Sequence, residues 1–361
     1  MPRACFQHVR VTAVDTTTGP VVRQIDEDAG LYAADPGQLD RLKQMVGVRT
    51  RHLAPPGVTT LDLCEQSARR VLAGCSLDPA ALDALVFVTQ TPDHCQPCNA
   101  CLLHGRLGLS TSAAAFDVNQ GCSGWVYGLY VAAGMIEAGG CRRVLLLAGD
   151  TVTQSIHPRD RAVVPLFGDA GSATLVEWTE SPSPSWFALH SDGRGWQAIH
   201  IPAGGSRLPK SGATGIEAMD ADGGVRTPEH LHMNGIEVFN FTLREEPSAV
   251  RELLEYAGTS LDAVDHLVFH QANRFILETL ARRLRVPVAK VPMDVAGKYG
   301  NQSSASVPAT LCDALGDVLR ERQRRLLCSG FGVGLSWASC LIEAGPLRHC
   351  SLGQYRGDFP P

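Results

Sequence analysis

Apolar and polar positions follow two rhythms along this chain. Short, nearly uninterrupted apolar runs at 85–89, 113–118 and 144–149 have the length of strands buried on both faces. Between them, apolar residues recur at helical spacing over 60–73, 99–107 and 122–138. A further strand at 173–177 completes a first series. The second series runs helix 239–256, strand 266–270, helix 275–284, helix 304–320, and strands 325–329 and 336–343. Strands alternating with helices in this way predict an α/β protein with mainly parallel sheets under a cover of helices. Pro97 reads as the opening residue of the helix at 99–107, where a missing N–H costs nothing. The stretch 202–228, rich in Gly, Pro, Ser and Asp, carries neither rhythm and predicts a long loop. The tail from Gly345 onward reads as irregular.

The two series are copies of one another. Leu82-Asp83-Ala84-Leu85-Val86-Phe87-Val88 returns 182 positions later as Val264-Asp265-His266-Leu267-Val268-Phe269-His270. The same offset lays Arg142-Arg143-Val144-Leu145-Leu146 over Arg324-Arg325-Leu326-Leu327-Cys328. It also lays Asn119-Gln120-Gly121-Cys122-Ser123-Gly124 over Asn301-Gln302-Ser303-Ser304-Ala305-Ser306. A repeat of this length is a duplicated domain, not a solenoid unit. It divides the chain into a first half at 1–178, a second half at 179–345 and a tail at 346–361.

Composition narrows the class. Of the 361 residues, 44% are hydrophobic and 19% charged, the balance of an ordinary globular protein. A formal net charge of −5 gives no help toward nucleic acid or an anionic membrane surface, so neither is expected as a partner. No apolar run approaches a membrane span and no export signal is visible. That predicts a cytoplasmic protein whose twelve cysteines are reduced thiols.

One of those cysteines stands apart. Cys122 lies where the apolar run 113–118 gives way, through Asn119-Gln120-Gly121, to a helical pattern. A thiol at such a turn sits beside unpaired helix N–H groups, whose dipole favours thiolate. Alone, it would read as a buried helix thiol. Two distant segments change that reading: His270-Gln271-Ala272-Asn273 at a strand end and Tyr299-Gly300-Asn301 in a loop. One Cys, one His and one Asn at strand or loop ends form a constellation for covalent acyl chemistry. The repeat places Val88 opposite His270, so the imidazole is no requirement of the duplicated strand. Cys95, Cys98 and Cys101 have the spacing of an iron–sulfur ligand run, but position 105 is Gly where that run needs its next Cys. No metal is expected.

With Phe167-Gly168-Asp169-Ala170-Gly171, Asn234-Gly235-Ile236-Glu237-Val238-Phe239 and Gly330-Phe331-Gly332-Val333-Gly334, these segments keep the order and spacing of the ketoacyl-ACP synthase III family. The chain resembles that family from about Val46 to Glu343. The resemblance implies the thiolase fold, in which duplicated βαβαβαββ halves stack as a five-layered αβαβα body. It implies Cys122 as the nucleophile that takes an acyl group. His270 and Asn301 would then hold the enolate left when a malonyl thioester loses carbon dioxide. The backbone N–H groups of Cys122 and Val333 would form the oxyanion hole. Gln96, Arg161, Phe167 and Phe239 are implied as substrate-binding residues, Arg161 on the adenine side. In the family, the segment at 95–101 borders the partner's acyl pocket in a homodimer. Arg274, Arg282 and Arg283 lie on the helix that in the family faces an acidic acyl carrier protein. No tightly bound cofactor is implied; acyl groups arrive as coenzyme A or carrier-protein thioesters.

The chain also departs from the family pattern. Relatives that load acetyl-CoA place an adenine-stacking Trp and an Arg just before the Gly47-Val48-Arg49-Thr50-Arg51 turn, where this chain has Arg41 and Met45. The opening Val9-Arg10-Val11-Thr12-Ala13-Val14 lacks the Gly-Thr-Gly-type start of housekeeping members. Both departures point toward a specialised enzyme of lipid or secondary-metabolite biosynthesis with another acyl donor. Two alternatives remain open. An acyltransferase passing a Cys-bound acyl group to an alcohol or amine needs the Cys and His but no second enolate donor. A type III polyketide synthase-like enzyme shares all three residues.

Overall fold

The structure, a computed structural model, describes residues 2–33, 36–220 and 223–357. The strands of its two large sheets are, in chain order, β1 (Arg3–Phe6), β2 (Val9–Thr18), β3 (Ala84–Val88), β4 (Ala114–Val118), β5 (Arg143–Asp150) and β6 (Ala170–Trp178). They continue with β7 (Ser185–Ser191), β8 (His266–Phe269), β9 (Arg324–Gly332), β10 (Ser336–Ala344) and β11 (His349–Gln354). The helices are α1 (Pro36–Val46), α2 (Thr60–Gly74), α3 (Asn99–Leu107), α4 (Gly124–Glu137), α5 (Gly235–Tyr256), α6 (Arg274–Leu284), α7 (Val295–Tyr299) and α8 (Ser306–Glu321). The first sheet has the order β11-β2-β6-β5-β3-β4 and the second β1-β7-β10-β9-β8.

Alternation along the strands sets the layers. On β5, Val144, Leu146 and Ala148 join a core with Trp125, Val126 and Leu129 of α4 and Leu311 and Leu315 of α8. Their neighbours Leu145 and Leu147 point the other way, onto α2 and α3. The far face of the second sheet packs Phe269, Leu327 and Leu341 against α5 and α6. The result is α2/α3, sheet, α4/α8, sheet, α5/α6, the five-layered thiolase arrangement. Helix α4 is apolar nearly all round because it lies between two sheets. The repeat lays α4 over α8 and β5 over β9, so the middle layer is the meeting of equivalent helices.

Three expectations need correction. The sheets are mixed rather than mainly parallel: β4-β3-β5, β11-β2 and β8-β9 run parallel, whereas β5-β6, β6-β2 and β9-β10-β7-β1 are antiparallel. The strands that close each half follow their predecessors without a crossover helix, so they return antiparallel. Pro97 does not open α3; Cys98 is its N-cap, and the Asp117 carboxylate takes the N–H groups of Asn99 and Ala100 at 2.8 Å each. Nor is the tail irregular, because β11 pairs with β2 through residues such as His349 opposite Ala13. His349 Nε2 lies 2.8 Å from the buried Asp15, and Cys350 is buried, so polar stitching replaces the apolar pattern the sequence lacks. Residues 358–361 of that tail lie outside the described residues. The sheets exchange strands across the chain: β1 completes the second sheet and β11 the first.

The long loop at 202–228 is tied down. Ala218–Met219 pairs with Val225–Arg226, and Arg226 bridges Asp220 at 2.7 Å and Asp160 at 3.4 Å. Helix α5 contains Pro247, which cannot bond the Leu243 carbonyl one turn back. The Arg283 guanidinium fills that gap, donating to Leu243 O at 2.8 Å. Among the described residues, no helix is long and apolar enough to cross a membrane.

Three residues after Leu243, Glu246 is buried, with no hydrogen-bond partner within normal distance on either carboxyl oxygen among the described residues and the Ser329 hydroxyl nearby. Burial pushes its pKa up to about 8, against a smaller opposing effect of the Ser329 hydroxyl. The unfolded chain releases this proton near pH 4.3, while the folded chain keeps it until about 8, so stability falls across that window as pH rises. Replacing Glu246 with Gln removes the titration. The variant should match the native protein below pH 5 and gain on it at about 1.4 kcal/mol per pH unit toward pH 8. Urea midpoints measured from pH 5 to 8 check this; parallel curves for the two proteins contradict it.

Candidate active site

After β4 the chain turns at 119–123, and Cys122 sits two residues before α4. The end of β9, from the other half, lies flat against this turn. A Cβ on Gly332 would stand 2.8 Å from Cys122 Sγ, and one on Gly330 only 2.5 Å from the Cys122 carbonyl oxygen. Any side chain at 332 would take the space beside the thiol. The Val333 N–H and the Ser303 hydroxyl both favour the thiolate, but burial and then the Asp150 carboxylate outweigh them and push the thiol up to about 11. The thiolate expected from the helix dipole is therefore not the resting form. Cys122 as a residue is half-buried, but its thiol is screened from water, and there desolvation outweighs the dipole.

His270 follows the end of β8 and is 1% exposed. Its Nδ1 lies 2.6 Å from Ser306 Oγ, which also accepts the Gln271 N–H at 3.2 Å. Ser306 keeps its own hydrogen for Nδ1, so we assign the ring hydrogen to Nε2. Burial pushes the imidazole down to about 3, against a contact with the Ser303 backbone. It is neutral at any ordinary pH. The Phe331 ring packs edge-on against it at 5.4 Å.

Asn301 is tied into the first half. Its N–H reaches Leu166 O at 2.8 Å, and its carbonyl accepts the Gly168 N–H at 3.0 Å. Gly168 cannot carry a side chain, since a Cβ would fall 2.0 Å from Tyr299 O; Gly300 next door has φ +82°. Asn301 Oδ1 accepts the Ser303 N–H at 3.0 Å, which fixes the amide and leaves Nδ2 as its donor end. Ser303 itself is held at φ +47°, a left-handed conformation costly for a residue with a Cβ. From there its N–H, backbone and hydroxyl meet Asn301, His270 and Cys122 respectively.

Around Ser303 the structure thus gathers Cys122, His270, Asn301 and Val333. Phe167 adjoins them, bridged to Asn301 and buried with Ile156, Val163 and Leu231. The other predicted residues lie on separate elements. Gln96 is exposed on the turn before α3, where Cys98 and Cys101 hold their sulfurs 3.4 Å apart. Arg161 accepts the Tyr32 hydroxyl on its carbonyl at 2.5 Å, with its guanidinium beneath Gly223. Phe239 stacks on Phe275 at 5.5 Å. On α6, Arg274 pairs with Glu278 and Arg282 with the Thr279 hydroxyl, while Arg283 serves the Leu243 carbonyl. Met45 is exposed on α1, which packs against α6. Among the described residues, no three His, Cys, Asp or Glu side chains are grouped to hold a metal ion. Sequence reasoning missed Asp150, Ser303 and Ser306. Asp150 closes the apolar run 144–149, and an ionisable residue ending a buried strand was the available signal.

Comparison with known proteins gives one answer. Residues 116–193 match the 3-oxoacyl-(acyl-carrier-protein) synthase III family, and residues 254–344 match its C-terminal domain. A putative 3-oxoacyl-(acyl-carrier-protein) synthase 3 from Campylobacter jejuni is 36% identical over 88% of this chain and 88% of its own length. The crystal structure of a 3-oxoacyl-(acyl-carrier protein) synthase from Burkholderia xenovorans LB400 superposes with a TM-score of 0.90 at 34% identity, covering 98% of this chain and 99% of the other. The priming β-ketosynthase of the R1128 polyketide biosynthetic pathway superposes with a TM-score of 0.80 at 29% identity, over 94% and 97% of the two chains.

Iodoacetamide alkylation reads the nucleophile directly, because only the thiolate reacts. The rate at Cys122 should still be climbing about tenfold per pH unit beyond pH 9. A plateau below pH 9 contradicts a thiol held near 11. Gly332→Ala should slow alkylation about tenfold or more without loss of folded structure. Alkylation of that variant at the native rate shows that the glycine does not keep the thiol accessible.

Proposed function

Since the chain belongs to the 3-oxoacyl-(acyl-carrier-protein) synthase III family of condensing enzymes, we propose that it joins an acyl group on Cys122 to a malonyl-carrier thioester with loss of carbon dioxide. The observation that carries this reading is the fixed Asn301 amide beside a neutral His270. Two N–H donors suit an enolate oxygen, whereas transfer to an alcohol or amine has no use for the second.

In the first step, Cys122 sulfur attacks the acyl thioester carbonyl. The coenzyme A or carrier thiolate leaves and takes up the proton that Cys122 gives up. In the second step, the malonyl carboxylate departs as carbon dioxide, and the remaining electron pair becomes an enolate held by His270 Nε2–H and Asn301 Nδ2–H. Each donor of this kind is worth about 3 kcal/mol. The enolate carbon then attacks the Cys122 thioester, and the N–H groups of Cys122 and Val333 receive the oxyanion. Collapse releases the 3-oxoacyl-carrier thioester and a Cys122 thiolate, which regains a proton from water.

The exposed Met45 on α1 supports an acyl donor other than acetyl-CoA, in a specialised pathway. Phe167, Phe239, Gln96 and Arg161 are the candidate donor contacts. The arginines of α6 support docking of an acidic carrier, with Arg274 and Arg282 better presented than Arg283. Unlike β3, which is buried throughout, the edge strand β4 is partly exposed. That supports a homodimer in which two β4 edges pair across a two-fold axis, a state light scattering reads directly.

Incubation with a panel of acyl-CoAs and acyl carriers should leave an acyl adduct on the Cys122 peptide, absent in Cys122→Ala. A medium-chain or carrier-bound donor should load faster than acetyl-CoA. A tenfold preference for acetyl-CoA, about 1.4 kcal/mol in barrier, refutes the specialised reading. Asn301→Ala and His270→Ala should each slow release of carbon dioxide from malonyl-carrier by about 100-fold or more. Unchanged decarboxylation in Asn301→Ala would favour the acyltransferase instead.

A further inference from the structure

The offset of 182 residues lays Cys122 over Ser304 and Asp150 over Gly332. In space, each strand end meets the turn of the opposite half. Gly332, ending β9, stands against Cys122, and Asp150, ending β5, holds Ser304. One crossing is emptied by a glycine beside a thiol. Its twin is filled by a carboxylate bonded to a serine.

Asp150 is fully buried. Its Oδ2 accepts the Ser304 hydroxyl at 2.7 Å and the Ser304 N–H at 3.2 Å. Its Oδ1 accepts the Gln90 N–H at 2.8 Å and faces the Thr89 and Thr91 hydroxyls at 3.2 and 3.5 Å. Burial raises its pKa, but an obligate N–H donor on each oxygen opposes that and suits a carboxylate. Each contact leads to one catalytic turn. Ser304 directly follows Ser303 and shares its turn with Asn301. Gln90 Nε2 donates to Asn119 Oδ1 at 3.0 Å, and a Cβ on Gly121 would lie 2.6 Å from Gln90 Oε1.

We propose that Asp150 is a positioning residue whose carboxylate locks the Asn301 turn against the Cys122 turn and acts on the Cys122 thiol through its charge. It touches no substrate. Its charge opposes ionisation of Cys122, while the Ser303 hydroxyl and Val333 N–H favour it. Also facing the carboxylate are the Ser303 hydroxyl and, at longer range, Asp169 and Cys64, both of which interact with Asp150. The carboxylate therefore does two things a neutral residue of the same shape cannot do together: it holds two turns and adds to the cost of ionising the thiol that burial already imposes.

The kinetic half of this inference rests on the condensing-enzyme reading; the alkylation half does not. The test compares full-length native protein, Asp150→Asn and Ser304→Ala, with iodoacetamide alkylation of Cys122 against pH and carbon dioxide release from malonyl-carrier as readouts. Asp150→Asn should shift the alkylation profile to lower pH by about one unit, about tenfold in rate at a fixed pH. It should also slow decarboxylation about tenfold or more. Ser304→Ala keeps the charge, so its decarboxylation should fall while its alkylation profile stays put. A folded Asp150→Asn with native alkylation and decarboxylation overturns the proposal. If Asp150→Asn does not fold, native decarboxylation in Ser304→Ala overturns it and a loss supports it. If the native protein releases no carbon dioxide, the condensing reading falls, and the alkylation shift alone decides for or against Asp150.

Discussion

Backbone pressed against backbone, with no side chain between, is the constraint on which this site depends. It occurs where the halves cross: the end of β9 against the Cys122 turn, and the loop at Gly168 against the Asn301 turn. At Gly168 a single methyl would fall 2.0 Å from the Tyr299 oxygen, so nothing but glycine permits the approach. That approach puts the Gly168 N–H on the Asn301 main-chain carbonyl and anchors the turn whose Ser303 N–H holds the Asn301 amide. The other crossing, at the end of β9, brings the Val333 N–H to the Cys122 sulfur. Helix α4 supports the arrangement from behind, packed between the sheets with Trp125 Nε1 donating to Thr174 Oγ1 at 3.0 Å.

The electrostatics follow from the same enclosure. A thiol near 11 and an imidazole near 3 leave Cys122 and His270 both neutral across the whole working range. A neutral Nε2–H can hydrogen-bond an enolate without protonating it, whereas an imidazolium would quench the carbanion. The neutral pair is thus suited to the second step more than to the first. Ionising the thiol becomes a cost of acyl loading, met as the sulfur attacks and not stored in the resting enzyme.

Much of this was legible in the sequence because duplication writes the fold twice. Strands β5 and β9 and helices α4 and α8 fall where periodicity and the 182-residue offset put them. Cys122, His270 and Asn301, which the structure gathers around Ser303, were marked by their positions at strand or loop ends. What escaped was information that exists only between segments brought together by folding. Nothing near Asp150 in the sequence announces that its partner is Ser304, and nothing near Ser303 announces that it touches three other site segments. Strand β11 was hidden because its fit comes from Asp15 and β2, over three hundred positions away. Pro97 misled because the cap of α3 is the distant carboxylate of Asp117.

The exchanged ends of the chain set an order of assembly. During synthesis the first half emerges with most of its sheet, but β2 keeps one edge open until β11 is made. At about 5–20 residues per second that edge waits many seconds, exposing unpaired N–H and C=O groups. Meanwhile β1 lies idle until its partner β7 and the rest of the second sheet exist. Each half therefore holds a strand the other needs, and neither sheet is finished until both halves have been made. The Cys122 turn acquires its facing strand, β9, only from the second half, so a first half folded alone would leave its thiol without the wall that encloses it.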